Sequence, residues 1–145
     1  MDAERFLILL VDDDEVDILM FRRAFAKAGL AYPLVVARRG QDAIDYLAGA
    51  GEFGDRSKHP LPSYVLLDLK LPRVSGLDIL TWMRRTDAVK NIPVSILSGS
   101  AQGDDIERSM AMGIESYLVK PAAFPELLEI VQELGRRWEA LALTK

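Results

Sequence analysis

Three features of the sequence predict an α/β fold built on a doubly wound, five-stranded parallel sheet. Short apolar runs of β type recur five times, a segment with helical spacing follows each run, and four of the runs end in a polar or charged residue. Strands that alternate with helices in this way pair in parallel through right-handed crossovers.

The first run, Phe6-Leu-Ile-Leu-Leu-Val11, is continuously apolar, as expected of a central strand covered on both faces, and it ends in Asp12-Asp-Asp-Glu15. From Glu15 to Ala28 the apolar residues Val16, Leu19, Met20, Ala24 and Phe25 recur at helical spacing, with Asp14 placed to cap the start and Gly29 to close the end. Leu34 to Ala37 is the second strand, and after Arg38-Arg-Gly40 comes a helix with Ala43, Ile44, Leu47 and Ala48 on its apolar face. Gly49 to Ser63 shows neither period and reads as a long surface loop. His59 lies in it with no second histidine or cysteine nearby, so a solvated loop histidine is expected rather than a metal ligand.

The third strand begins at Tyr64 and ends in one carboxylate, Asp68; Pro72 bars a regular continuation, with Gly76 beyond it. Standing alone, Asp68 could merely cap a turn. Leu77, Leu80 and Thr81 continue at helical spacing and carry Trp82 and Met83 as packing residues. Asn91 to Leu97 is the fourth strand, with its proline confined to the start, and it ends in Ser98-Gly-Ser100. Asp104 to Met112 is a short, weakly amphipathic helix closed by Gly113. Ser116 to Val119 is the fifth strand, ending in Lys120-Pro121. The last helix starts near Phe124 and carries Leu127, Leu128, Ile130, Val131, Leu134, Trp138 and Leu141. At about 17 residues and roughly 25 Å it exceeds a five-residue strand of roughly 17 Å. Trp138 and Leu141 are therefore expected to overhang the sheet and, with Tyr117, to mark a homodimer interface.

A chain of 145 residues suits one domain, and no composition shift, linker or repeat divides it. Without cysteine, disulfides and thiolate metal sites are excluded. Lysine and arginine total 18 against 22 acids, a net charge of −4, with no basic block, so direct binding of nucleic acid is not expected. The apolar run Phe6 to Val11 is too short for a signal or a membrane span, and a cytoplasmic protein is expected.

In a doubly wound sheet the carboxyl ends of the strands converge on one edge, where ligands bind. Asp12 and Asp13, Asp68, Ser98 and Lys120 would then share one pocket. Clustered carboxylates repel one another unless a cation is present, and a hard divalent ion such as Mg²⁺ suits an all-oxygen set. With the ion held by Asp12 and Asp13, Asp68 is free to act as a nucleophile toward phosphorus, while Mg²⁺, Lys120 and the Ser98 hydroxyl meet the charge of the new phosphoryl group. Of two adjacent acids leaving a strand only one is expected to dominate the ion, and Asp13 is placed first, with Asp12 acting through water.

The motifs Val-Asp12-Asp13, Leu-Leu-Asp68-Leu-Lys-Leu-Pro72 with Gly76, Ser98-Gly99 and Tyr117-Leu-Val-Lys120-Pro121 span essentially the whole chain and resemble those of a response-regulator receiver domain of two-component signalling. The resemblance implies a flavodoxin-like (βα)5 fold without an attached output domain, and a protein that signals by conformational change while promoting its own phosphorylation and dephosphorylation. It implies that Asp68 accepts phosphate from a histidine kinase, that Asp12, Asp13, Asp68 and the Lys70 carbonyl surround Mg²⁺, and that Ser98 and Lys120 read the phosphoryl group. It further implies that Tyr117 is an aromatic switch, that the Lys120–Pro121 peptide is cis, and that Lys70 and Ser100 flank the water that hydrolyses the phosphoryl group. Lys70, with its long cationic stem, is expected to slow that hydrolysis. The extended loop before Tyr64, the Leu-Asp-Leu-Lys-Leu-Pro segment and the aromatic last helix are most similar to the stand-alone regulators paired with phytochrome-type histidine kinases.

Other readings fit less well. A Mg²⁺-dependent phosphohydrolase with an aspartyl nucleophile needs a second acid two residues after it, where this chain has Lys70. A dinucleotide site needs glycines after the first strand, where Asp12-Asp-Asp-Glu15 would repel a pyrophosphate. A docking module that works without phosphorylation is the remaining alternative.

Overall fold

The computed structural model describes residues 5–144. Its elements are β1 (Ile8–Val11), α1 (Glu15–Lys27), β2 (Leu34–Ala37), α2 (Gly40–Ala48), a 3-10 turn (Gly51–Gly54), β3 (Tyr64–Leu67), α3 (Gly76–Arg84), β4 (Val94–Ser98), α4 (Gly103–Ala111), β5 (Ser116–Val119) and α5 (Phe124–Ala142). The strands form one parallel sheet in the order β2-β1-β3-β4-β5, so the predicted doubly wound fold is the one observed.

Side chains alternate across the sheet, so each central strand feeds two cores. Leu9, Val11, Val65, Leu67 and Ile96 face one way and pack with Ala43 and Leu47 of α2 and Ile79, Leu80 and Met83 of α3. Ile8, Leu10, Tyr64, Leu66 and Leu97 face the other way, onto Ile18, Phe21 and Phe25 of α1 and Val131, Leu134 and Trp138 of α5. Each large apolar side chain buried this way contributes roughly 1.5–3 kcal/mol before cavity effects. The local signals agree with this packing. Asp14 caps α1 by accepting from the amides of Val16 and Asp17, and Ser75 and Asp78 form a reciprocal capping box on α3. α5 has no side-chain cap, since its N-cap residue is Ala123.

Trp138 departs from expectation. It does not overhang the sheet: it is fully buried, with its ring 5.7 Å from Tyr64, 5.9 Å from Phe25 and 6.2 Å from Tyr32, and Leu141 packs half-buried on the same core. The physical reason lies outside the strands. Phe6 and the α1–β2 connection, with Leu30 and Tyr32, extend this layer past the end of β1, so the length of the strands understates the surface that α5 covers. Trp138 is therefore not available to a dimer interface.

The long loop also differs. His59 is half-buried, edge-on to Phe53 and Tyr46 at 5.2 and 6.1 Å. Arg56 explains the folding back: its guanidinium donates to the carbonyls of Tyr46, Leu47 and His59, which satisfies the end of α2 and pins the loop over it. No described helix is long and apolar enough to cross a membrane.

Candidate functional site

The parallel ladder itself aligns the site. Beyond the last strand residues it continues one step, with Asp12 N–H donating to Ala37, Asp68 N–H to Val11 and Lys120 N–H to Ser98. Each residue that follows a strand is thereby held at one level of the sheet's carboxyl edge. Asp12 and Asp68 are buried, 3% and 6% exposed, whereas Asp13 is exposed.

Lys120 binds the acids together. Its Nζ lies 2.8 Å from Asp68 Oδ2, 2.8 Å from Asp17 Oδ2 and 3.0 Å from Asp12 Oδ2. Burial alone would lower the ammonium's proton affinity, but hydrogen bonds to Asp17, Asp68 and Asp12 outweigh it and hold the Lys120 pKa above the ordinary lysine value. Asp12 shows the opposite balance. Burial raises its pKa above the usual carboxylate value, with Asp68 adding repulsion, and the Asp14 amide and Lys120 offset this only in part. The second oxygens are also engaged: Asp12 Oδ1 accepts from the Asp14 amide at 2.9 Å and Asp68 Oδ1 from the Lys70 amide at 3.1 Å.

Asp12, Asp13 and Asp68 each present a carboxylate oxygen, all within 4.8 Å of one another. Hard anionic oxygens this close fit a hard divalent cation, and no sulfur or imidazole competes for it among these residues.

The backbone beneath Asp68 would have to shift to admit any side chain at Gly76. A Cβ there would lie 2.2 Å from the Asp68 carbonyl oxygen and 2.6 Å from Leu69 Cα. The glycine lets α3 start directly under the acid and fixes the loop that carries it.

A family model for the response regulator receiver domain matches residues 8–132. This chain belongs to that family. Among its relatives, the probable methanogenesis regulatory protein FilR2 of Methanothrix harundinacea is 38% identical over 92% of this chain and 83% of that protein. The response regulator Rcp1 of a Synechocystis strain is 30% identical over 91% of this chain and 88% of its own length; its Mn²⁺-bound crystal structure matches with a TM-score of 0.83, 29% identity, and coverage of 92% of this chain and 94% of that one. The phosphorylated cyanobacterial phytochrome response regulator RcpA matches with a TM-score of 0.86 at 31% identity, covering 94% of this chain and 96% of that one. The chain is thus a two-component signalling domain similar to phytochrome response regulators.

Within this receiver domain, Ser98 ends β4 fully buried, and its Oγ accepts from the Ser100 amide at 3.3 Å. Tyr117 is half-buried at the start of β5, and its hydroxyl donates to the Ser100 carbonyl at 2.7 Å, which ties the expected switch residue to the loop after Ser98. One expectation fails outright. No peptide bond among the described residues is cis, so Lys120–Pro121 is trans. The trans form is intrinsically favoured even before proline, and with it Lys120 already reaches Asp12, Asp17 and Asp68.

Two acids in the site escaped the sequence reading. Asp17 is one helical turn beyond Asp13, so its position in the first turn of α1 was a usable signal that it faces the strand ends. Asp105, in the first turn of α4, pairs with the Lys70 ammonium at 3.1 Å and accepts from the Ser100 hydroxyl at 2.6 Å. No local pattern marks that pairing, because its partners lie on two other loops.

Proposed function

We propose that this receiver domain accepts a phosphoryl group on Asp68 from a histidine kinase, of phytochrome type, in a Mg²⁺-dependent reaction, and passes the signal on by conformational change. The observation that carries the reading is a buried carboxylate, Asp68, hydrogen-bonded to Lys120 and grouped with Asp12 and Asp13. An Asp68 oxygen attacks the phosphorus of a phosphohistidine; the P–N bond breaks and the imidazole leaves with the bonding electrons. Mg²⁺ held by Asp13, Asp68, the Lys70 carbonyl and, through water, Asp12 would neutralise charge on the carboxylates and the phosphoryl oxygens. Lys120 is already in place to follow the charge as it moves from the carboxylate to the phosphoryl group. The buried Ser98 hydroxyl, at the end of the adjoining strand, would turn toward the same oxygens, and that turn would disturb the Ser100 segment that Tyr117 holds.

The domain also loses the group by hydrolysis, with Lys70 slowing the approach of water. Homodimerisation across α4, β5 and α5 is a further part of the proposal, supported by Met110 of α4 and sheet-edge Val119 of β5, which are 51% and 42% exposed. The test of the central claim is incubation with acetyl phosphate and Mg²⁺, followed by intact mass. One added phosphoryl group on the wild type and none on Asp68→Asn is expected; no addition to either overturns the function in favour of a phosphorylation-independent docking module.

A further inference from the structure

Asp105 and Lys70 meet across the mouth of the site. Lys70 follows Asp68 by two positions and sends its ammonium 3.1 Å from Asp105 Oδ2, with the lysine side chain 59% exposed and the aspartate side chain 11% exposed. The Ser100 hydroxyl donates to the same oxygen at 2.6 Å. Ser100 first and then Lys70 hold the Asp105 pKa below the usual carboxylate value. The Lys70 amide donates to Asp68 Oδ1, and the Ser100 carbonyl accepts from Tyr117. One acid on α4 is therefore linked to both loops that flank Asp68.

Resting on the phosphorylation of Asp68, we propose that Asp105 is a positioning residue that withholds Lys70 from the phosphoryl group and so sets how fast that group is hydrolysed. A phosphoryl group on Asp68 competes with Asp105 for the same ammonium, since it adds negative charge and acceptor oxygens two residues away. The exchange is easy in both directions. Lys70 is mostly exposed, and exposed ion pairs are weak. Asp105 keeps the Ser100 hydroxyl and the favourable amino end of α4 when the lysine leaves. In hydrolysis a water oxygen bonds to phosphorus, the P–O bond to Asp68 breaks, the carboxylate departs with the bonding electrons, and a proton of the water passes to solvent as inorganic phosphate forms. A lysine folded over the phosphoryl oxygens obstructs that water; a lysine tied to Asp105 does not.

The experiment follows decay of acetyl-phosphate-labelled full chain by intact mass in Mg²⁺, for the wild type, Asp105→Asn, Asp105→Glu, Lys70→Met and the Asp105→Asn/Lys70→Met pair. Asp105→Asn is expected to slow decay about two- to five-fold, the rate change that corresponds to one weak ion pair made by a solvent-exposed lysine. Asp105→Glu, which keeps a carboxylate, is expected to decay like the wild type, and Asp105→Asn is expected to change nothing in the Lys70→Met background. Decay that is unchanged or faster in Asp105→Asn overturns the proposal. Equal slowing with and without Lys70 also overturns it, since Asp105 then acts only through the structure around Ser100. A wild-type chain that takes up no phosphate overturns the phosphoacceptor function and this inference with it, whereas label that decays identically in every variant overturns the inference alone.

Discussion

At the carboxyl end of the sheet, Asp12, Asp17 and Asp68 crowd around the single ammonium of Lys120; at the amino end, Tyr64, Phe25 and Tyr32 pack around Trp138 in tilted and edge-on contacts. Polar groups occur at both ends, but their bonding differs. The amino-end network is shared among hydroxyls: Tyr64 with Ser95 at 2.6 Å, and Ser95 with Ser116 at 2.8 Å, bordered by the two-pronged ion pair of Glu115 and Arg137. The carboxyl end keeps Asp12 buried against its preference, since burial raises its proton affinity despite Lys120. One end thus supplies cohesion and the other holds charge ready for a ligand. Stability and chemistry are separated along the strand direction, and variants at the two ends are expected to behave differently.

The largest expected effect is at the amino end. Trp138→Ala removes the fully buried ring that touches α1, β3 and the α1–β2 connection, and is expected to cost about 3–5 kcal/mol in urea unfolding. Phosphate uptake by the folded fraction should be unaffected. A loss under 1 kcal/mol would place the cohesion elsewhere.

Gly76→Ala tests whether the carboxyl end is as tightly built. Its Cβ meets the Asp68 carbonyl at 2.2 Å, so a destabilisation of about 1–3 kcal/mol is expected, together with slower phosphate uptake because the displaced backbone carries the acceptor. Wild-type uptake in a destabilised variant would show that the acid's position does not depend on this contact.

Tyr64 gives a smaller effect with a defined sign. Burial, more than its hydrogen bonds, pushes its phenol up to about 12 from 10. The folded chain therefore retains the proton that the unfolded chain loses, so this contribution to stability is complete below about pH 10 and is lost as pH rises toward 12. Tyr64→Phe is expected to cost about 1 kcal/mol at neutral pH and to flatten that alkaline loss. An alkaline profile identical to the wild type would remove Tyr64 as its source.

Asp12→Asn is the smallest change and has the opposite sign. With the folded pKa raised, the ionised side chain disfavours folding at neutral pH, and lowering the pH through its titration relieves the penalty. Lys120 retains Asp17 and Asp68, so the variant without added metal is expected to melt higher than the wild type at pH 7, with the gap closing toward acid pH. A lower melting temperature at pH 7 would mean that the Asp12–Lys120 pair contributes net stability.

The sequence by itself determined the strand–helix alternation and the residues after four of the strands, because both depend on local rules. A buried parallel strand must be apolar throughout, a helix must repeat its apolar face, and a polar residue after a strand must lie on the sheet's carboxyl edge. Asp12, Asp68 and Lys120 were legible for that reason. What only the tertiary structure decided is where long side chains end and how far each layer extends. Trp138 is sealed in because Leu30 and Tyr32, more than a hundred residues earlier in the chain, extend the layer beneath it; Arg56 turns a featureless loop into a lid on α2; and Lys70 of the loop after β3 pairs with Asp105 of α4. Such pairings follow from distances across the fold, which the periodicity of a single segment does not encode.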